Sequence, residues 1–158
     1  MNTRCWQSPL GPLWLAAKND ALVGAWFEAQ KHFPKNFALE EVNPQDETLT
    51  ETVSQLSAYF NAKLKVFSLP LAPIGTAFQA RVWNEIATIR FGETKTYGEL
   101  ARAASSENAS RAAGAATGRN PISIIIPCHR VIASTGAMTG YAGGLERKRA
   151  LLTLEMKA

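Results

Sequence analysis

The sequence predicts an α+β protein: a small N-terminal sheet-plus-helix domain, then a mainly helical C-terminal domain containing a helix-turn-helix. Three observations carry this. LWLAA (13–17) and ALVGAWF (21–27) flank Lys18-Asn19-Asp20, the pattern of a β-hairpin with an Asn/Asp turn. Helical spacing dominates from residue 76 onward, opened by capping-box sequences. Between the two, Pro70, Pro73 and Gly75 punctuate the chain and set the domains at 1–75 and 76–158. A chain of 158 residues supports one domain or two small units sharing a core.

The elements follow in order. Leu49, Val53, Leu56 and Phe60 recur at helical spacing and predict a helix over 46–62. KVFSL (65–69) reads as a further strand. Thr76-x-x-Gln79 is a capping box, and Phe78, Val82, Ile86 and Ile89 extend its helix to about residue 90. Gly92 breaks it. Thr96-x-x-Glu99 reads as a second capping box, opening a short helix to about Ala104. After the polar turn SSEN, NASRAAGAATG (108–118) predicts a third helix, ended by Gly118 and Asn120-Pro121. Two short helices across a tight turn give the helix-turn-helix expectation. ISIII (122–126) is expected to be a buried strand or extended segment terminated by Pro127. GLERKRALLTLE (144–155) is a last amphipathic helix, with Leu145, Leu151, Leu152 and Leu154 as its apolar residues.

Composition narrows the class. With 46% hydrophobic and 19% charged residues the chain reads as a soluble globular protein. No stretch nears the ~20 apolar residues of a membrane span. The opening MNTRCWQSPLGPLWLAAK lacks a signal peptide's apolar segment, so the expected location is the cytoplasm. Cysteines at 5 and 128 and histidines at 32 and 129 have no metal-ligand spacing and form no disulfide framework; neither metal nor cofactor is expected. The net charge of +4 is uneven. Residues 1–75 carry 6 Lys+Arg against 7 Asp+Glu, and residues 76–158 carry 11 against 6. A basic second half fits a polyanion partner, although ordinary solvated charge gives the same count.

Two features point to chemistry. Pro127-Cys128-His129-Arg130 puts one of two cysteines beside one of two histidines, behind an apolar run. A lone cysteine is commonly a small core hydrophobe. Here an adjacent base suits a thiolate nucleophile, since an unperturbed thiol of pKa ~8.5 is only a few per cent ionised at pH 7. Neighbouring side chains in an extended segment point apart, so a bridging water is the expected proton path between Cys128 and His129. The second feature is Ala112-Ala113-Gly114-Ala115-Ala116, a helix centre with almost no side chain. It fits either close helix packing or close approach to a groove as narrow as DNA's minor groove, ~6 Å wide. Arg111 is the long side chain in that bare run.

From Phe78 to Glu155 the chain resembles the O6-alkylguanine–DNA alkyltransferases. The carrying stretches are FQARVW, GETKTYGELA, SRAAGAATGRNPI, IPCHRVI and GYAGGLERKRALLTLE. Residues 1–75 resemble the family's N-terminal domain only loosely. The alkyltransferase-like proteins carry tryptophan at the cysteine position; Cys128 places this chain with the reactive branch. The resemblance implies irreversible, single-turnover transfer of an alkyl group from guanine O6 in duplex DNA to Cys128, with the nucleotide flipped out. It implies that Glu155 orients His129, Asn120 holds the turn under the cysteine, and Tyr97 donates a proton to the departing guanine. It makes Arg111 the intercalating residue, with Thr96, Tyr97, Ala112, Gly114 and Ala115 in a minor-groove DNA interface. Val131, Tyr141, Ala142 and Gly143 become the pocket for the flipped base. O4-alkylthymine is a further candidate lesion, and the protein is expected to be a monomer. Phe91 stands where the family often has proline. Two rival classes remain: a cysteine hydrolase using Cys128, His129 and Glu155, and a helix-turn-helix regulator without chemistry. Taken without the resemblance, Glu155 is an ordinary surface acid and Asn120 an ordinary Asn-Pro turn.

Overall fold

The computed structural model describes residues 1–105, 107–137 and 139–157. Strands β1 (Asn2–Ser8), β2 (Gly11–Lys18) and β3 (Ala21–Phe27) form an antiparallel sheet in that order. β2 and β3 are the expected hairpin. Asn19 and Asp20 lie in the left-handed region, φ 53° and 62°, as a tight two-residue turn requires. β1 was not legible in the sequence: it pairs Asn2 with Ala17 through to Ser8 with Gly11, yet buries only Thr3, so it lacks a core alternation.

Helix α1 (Glu47–Phe60) starts where Asp46 accepts from the Leu49 N–H at 3.1 Å. It buries Leu49, Thr52, Gln55, Leu56 and Tyr59. KVFSL forms no strand. The Gln55 side chain takes its place as partner, donating to the Ser68 carbonyl at 3.1 Å and accepting the Ser68 N–H at 2.9 Å. Further on, Leu22 of β3 exchanges backbone hydrogen bonds with Pro70 and Ala72.

Helix α2 (Ala77–Ala87) has the full capping box of Thr76 and Gln79. It stops short of residue 90 because Thr88 turns both its N–H and its hydroxyl onto the Glu85 carbonyl. A two-residue strand β4 (Lys95–Thr96) precedes helix α3 (Tyr97–Ala104). Its cap is half of the expected box: Thr96 accepts from the Glu99 N–H, and the Glu99 carboxylate meets the Thr96 hydroxyl at 3.3 Å rather than its backbone. The turn expected at 105–108 includes position 106, which lies outside the described residues. A 3-10 turn at Glu107–Ala109 leads into α4 (Ser110–Gly118).

Residues 122–126 also form no strand. Ile122 makes one parallel bridge to Ala25 of β3, and Ile124 then turns back at φ 74°. Strand β5 (Val131–Ile132) pairs in parallel with β4 and ties the segment after the cysteine to the start of α3. Helix α5 (Leu145–Lys157) buries Lys148, Leu151, Leu152 and Glu155, while Leu145 is exposed rather than part of the apolar face. One apolar cluster runs through both halves, from Leu13, Phe27 and Tyr59 to Ile86, Val131 and Leu151. Among the described residues no helix is long and apolar enough to cross a membrane.

Candidate active site around Cys128

Cys128–Arg130 winds into one turn of 3-10 helix immediately after Pro127, where the sequence suggested an extended segment. Proline fixes the entry, and the Arg130 N–H closes the turn on the Pro127 carbonyl. Asn120 anchors this turn. Its amide donates to the Ile126 carbonyl at 2.8 Å and to Cys128 Sγ at 3.2 Å, and its oxygen accepts the Ile122 N–H. This explains why the isoleucine-rich run 122–126 leaves the strand path: the Asn120 side chain takes up hydrogen bonds that a second strand would otherwise make.

Glu155, on α5, is the hub of the site. Its Oε2 accepts from the Tyr59 hydroxyl at 2.6 Å, from His129 Nε2–H at 2.6 Å and from Arg130 Nη2 at 3.0 Å. Its Oε1 accepts from Arg130 Nε at 2.8 Å. Burial alone would raise this carboxyl; the hydrogen bonds from His129 and Arg130 outweigh it and hold it at about 2. His129 is fully buried, and burial pushes its pKa below the ordinary value despite the opposing pull of Glu155. A neutral ring that gives Nε2–H to Glu155 leaves Nδ1 as a bare acceptor. Nδ1 is buried with no hydrogen-bond partner among the described residues.

The thiol is 4% exposed, and its burial pushes its pKa up to about 11, against the pull of Asn120 and Lys148. Free Cys128 is therefore stored as the protonated thiol, not as the few per cent thiolate of an unperturbed group. Lys148, fully buried, places its ammonium on the Val131 and Thr139 carbonyls at 2.7 and 2.8 Å, which leaves a cation near the sulfur.

A cavity of about 410 Å³ opens between Tyr97 of α3, Gly114, Ala115 and Gly118 of α4, and the loop Thr139–Ala142, with Lys31 and His32 also lining it. Tyr97 donates its hydroxyl to the Gly140 carbonyl at 3.3 Å and packs its ring against Gly114. Burial raises the Tyr97 and Tyr141 phenols above their ordinary value, and the charge of a Cys128 thiolate would raise both further, so both rest protonated. A more apolar cavity of about 510 Å³, lined by Phe67, Phe91, Ile125 and Arg130, includes neither tyrosine.

The structure thus brings Cys128, His129, Glu155 and Asn120 together, with Tyr97, Tyr141, Ala142, Gly114 and Ala115 around the cavity. Arg111 and Ala112 lie exposed on α4, and Thr96 caps α3. Val131 and Gly143 do not line the cavity. Val131 is core. A Cβ on Gly143 would sit 2.6 Å from the Tyr141 ring and 3.1 Å from Phe27, so this glycine lets Tyr141 lie close rather than widening the cavity. Sequence reasoning missed Tyr59, Arg130 and Lys148. Arg130 was visible inside PCHR, but Tyr59 and Lys148 sit in ordinary amphipathic runs without a signal. Among the described residues no three His, Cys, Asp or Glu side chains gather as a metal site.

Two family models match the chain: the 6-O-methylguanine DNA methyltransferase ribonuclease-like domain over residues 2–73, and that protein's DNA binding domain over 77–157. The methylated-DNA–protein-cysteine methyltransferase of Mycobacterium leprae is 44% identical over 98% of this chain and 92% of its own length. That of Methanosarcina acetivorans is 46% identical over 94% of each. The crystal structure of Mycobacterium tuberculosis OGT in complex with DNA superposes with a TM-score of 0.89 at 42% identity, covering 99% of this chain and 94% of that one. With a buried cysteine hydrogen-bonded by Asn120, a histidine held by Glu155 and both halves matched, the chain belongs to the 6-O-methylguanine DNA methyltransferase family.

Proposed function

We propose that this protein repairs duplex DNA by moving an alkyl group from guanine O6 to Sγ of Cys128, once per molecule. The observation that carries the reading is the bare Nδ1 of His129, whose other nitrogen is engaged by Glu155. In the reaction the Cys128 proton passes to Nδ1 through a bridging water, as buried Nδ1 has no protein partner among the described residues. The sulfur lone pair forms the S–C bond as the C–O6 bond breaks. The electron pair of that bond goes to the guanine, which takes a proton from the Tyr97 hydroxyl; the phenolate regains a proton from solvent as the His129 imidazolium gives its own up to solvent, so both side chains end as they began. Lys148 stabilises the thiolate while it lasts. A thioether sulfur leaves saturated carbon very poorly, so no second turnover follows.

The target oxygen lies inside the duplex, so the nucleotide is extruded into the 410 Å³ cavity. Helices α3 and α4 act as the helix-turn-helix. The exposed small residues Ala112 and Ala115 let the minor groove approach closely, and Arg111 fills the vacated stack. Tyr141 and Ala142 wall the base. The reaction takes place in the cytoplasm and uses no cofactor.

The test is incubation with duplex carrying one labelled O6-methylguanine, followed by peptide mass mapping. The expected result is one methyl per protein, on the peptide holding Cys128, with Cys5 unmodified. Label on Cys5, or more than one methyl removed per molecule, would overturn the reading. Turnover would favour a hydrolase, and tight binding of one undamaged sequence without transfer would favour a regulator.

A further inference from the structure

We infer that Lys31 and His32, in the N-terminal half, complete the DNA site by holding the sugar-phosphate backbone of the extruded nucleotide at the cavity mouth. This rests on the reading that the cavity receives the extruded base. The cavity is lined from α4 by Gly114, Ala115 and Gly118, which give room but no charge. Its basic side chains are Lys31 and His32, on the loop that follows β3, and among the described residues no Asp or Glu lines it. Burial pushes the His32 pKa below its ordinary value, so His32 faces the opening as a neutral imidazole that can donate one N–H.

That loop is placed by the fold. The Lys31 N–H donates to the Ala142 carbonyl at 3.0 Å, pinning it to the cavity wall. One residue earlier, buried Gln30 closes the turn by accepting the Phe27 N–H at 2.9 Å. His32 sits at φ 63°, a left-handed conformation that costs a non-glycine residue and recurs at ligand sites. It is nonetheless exposed, so no apolar packing repays the strain. Arg119, just past α4, is near enough for its charge to act on His32. Among the described residues Lys31, His32 and Arg119 enter no ion pair. A lysine ammonium and an imidazole N–H donor lining one opening, with no carboxylate among its described lining residues, suit a phosphate diester.

The experiment uses the full chain with Lys31→Gln and His32→Asn together; asparagine keeps the left-handed backbone accessible. Affinity for duplex containing O6-methylguanine is measured across a salt series, beside the rate of Cys128 alkylation by free O6-methylguanine base. The expected result is roughly three- to tenfold weaker duplex binding, with a salt slope smaller by about one, the loss of one phosphate contact. The free-base rate falls by clearly less than duplex affinity, the thermal midpoint stays at the wild-type value, and Lys31→Arg alone keeps the wild-type slope. Unchanged affinity and slope in the double variant would overturn the inference, as would an equal loss toward the free base. If wild-type protein moves no methyl to Cys128, the proposed function fails instead, and that result is read before any variant is made.

Discussion

Without the family resemblance, which makes it the partner of His129, Glu155 reads as one more surface acid on a basic terminal helix, yet it is 3% exposed and bound by three side chains. A one-dimensional pattern does not reveal this, because Tyr59 lies 96 residues away. Cys128 and His129 were legible because chemistry and adjacency coincide there. The thiol's pKa of about 11 was not, since burial is a tertiary property. The Glu155 carboxyl is held at about 2, below its ordinary 4.5, so its ionised form stabilises the fold. That contribution is complete above about pH 4.5 and is lost as pH falls toward 2. Glu155→Gln leaves Arg130 buried without its counter-charge, at a cost of about 3–5 kcal/mol near neutral pH. It also releases the His129 ring, and methyl transfer should slow by at least about tenfold. Urea titrations of both proteins from pH 7 to acid check this. The stability gap should shrink through the stated window, and a gap independent of pH would mean that Glu155 is not ionised in the fold.

Helices were more legible than strands at the scale of elements, and the reason is local. A cap such as Thr76 with Gln79 is made by residues three apart, so its signal is contained in the sequence that makes it. Residues 65–69 suggested a strand and 122–126 a strand or extended segment, but Gln55 and Asn120 side chains took up their backbone groups. Helix α4 shows both of its sequence readings to be compatible. Ala113, Ala116 and Thr117 are buried, and the Trp83 indole donates to the Ala116 carbonyl at 2.9 Å. Arg111, Ala112 and Ala115 form the opposite, exposed face. Arg111→Ala should therefore leave stability within about 0.5 kcal/mol, the usual range for a surface change. If Arg111 fills the gap left by the extruded base, repair of duplex slows at least about tenfold, because unstacking that costs a few kcal/mol is no longer offset. Reaction with free O6-methylguanine base stays at the wild-type rate. Equal slowing of both substrates would place Arg111 in the chemistry or the fold instead.

The change in sequence character near residue 75 does not divide the molecule's core, which is shared by both halves and sealed by the Tyr59–Glu155 contact from α1 to α5. A perturbation at the cysteine should therefore be felt by the whole fold in one transition. Alkylation is such a perturbation. It adds a methyl to a sulfur that is 4% exposed and that accepts an N–H from Asn120 at 3.2 Å. Extra bulk in a close-packed site costs about 1–3 kcal/mol, and the Asn120 amide, which anchors the loop, is crowded first. For a chain of this length each kcal/mol lowers the melting midpoint by about 2–4 °C. Calorimetry before and after complete reaction with free O6-methylguanine should show a single endotherm shifted down by several degrees. A midpoint that stays or rises would mean that the methyl sits in the open cavity without disturbing Asn120. Two separate endotherms, only one of them shifted, would mean that the halves do not share their stability.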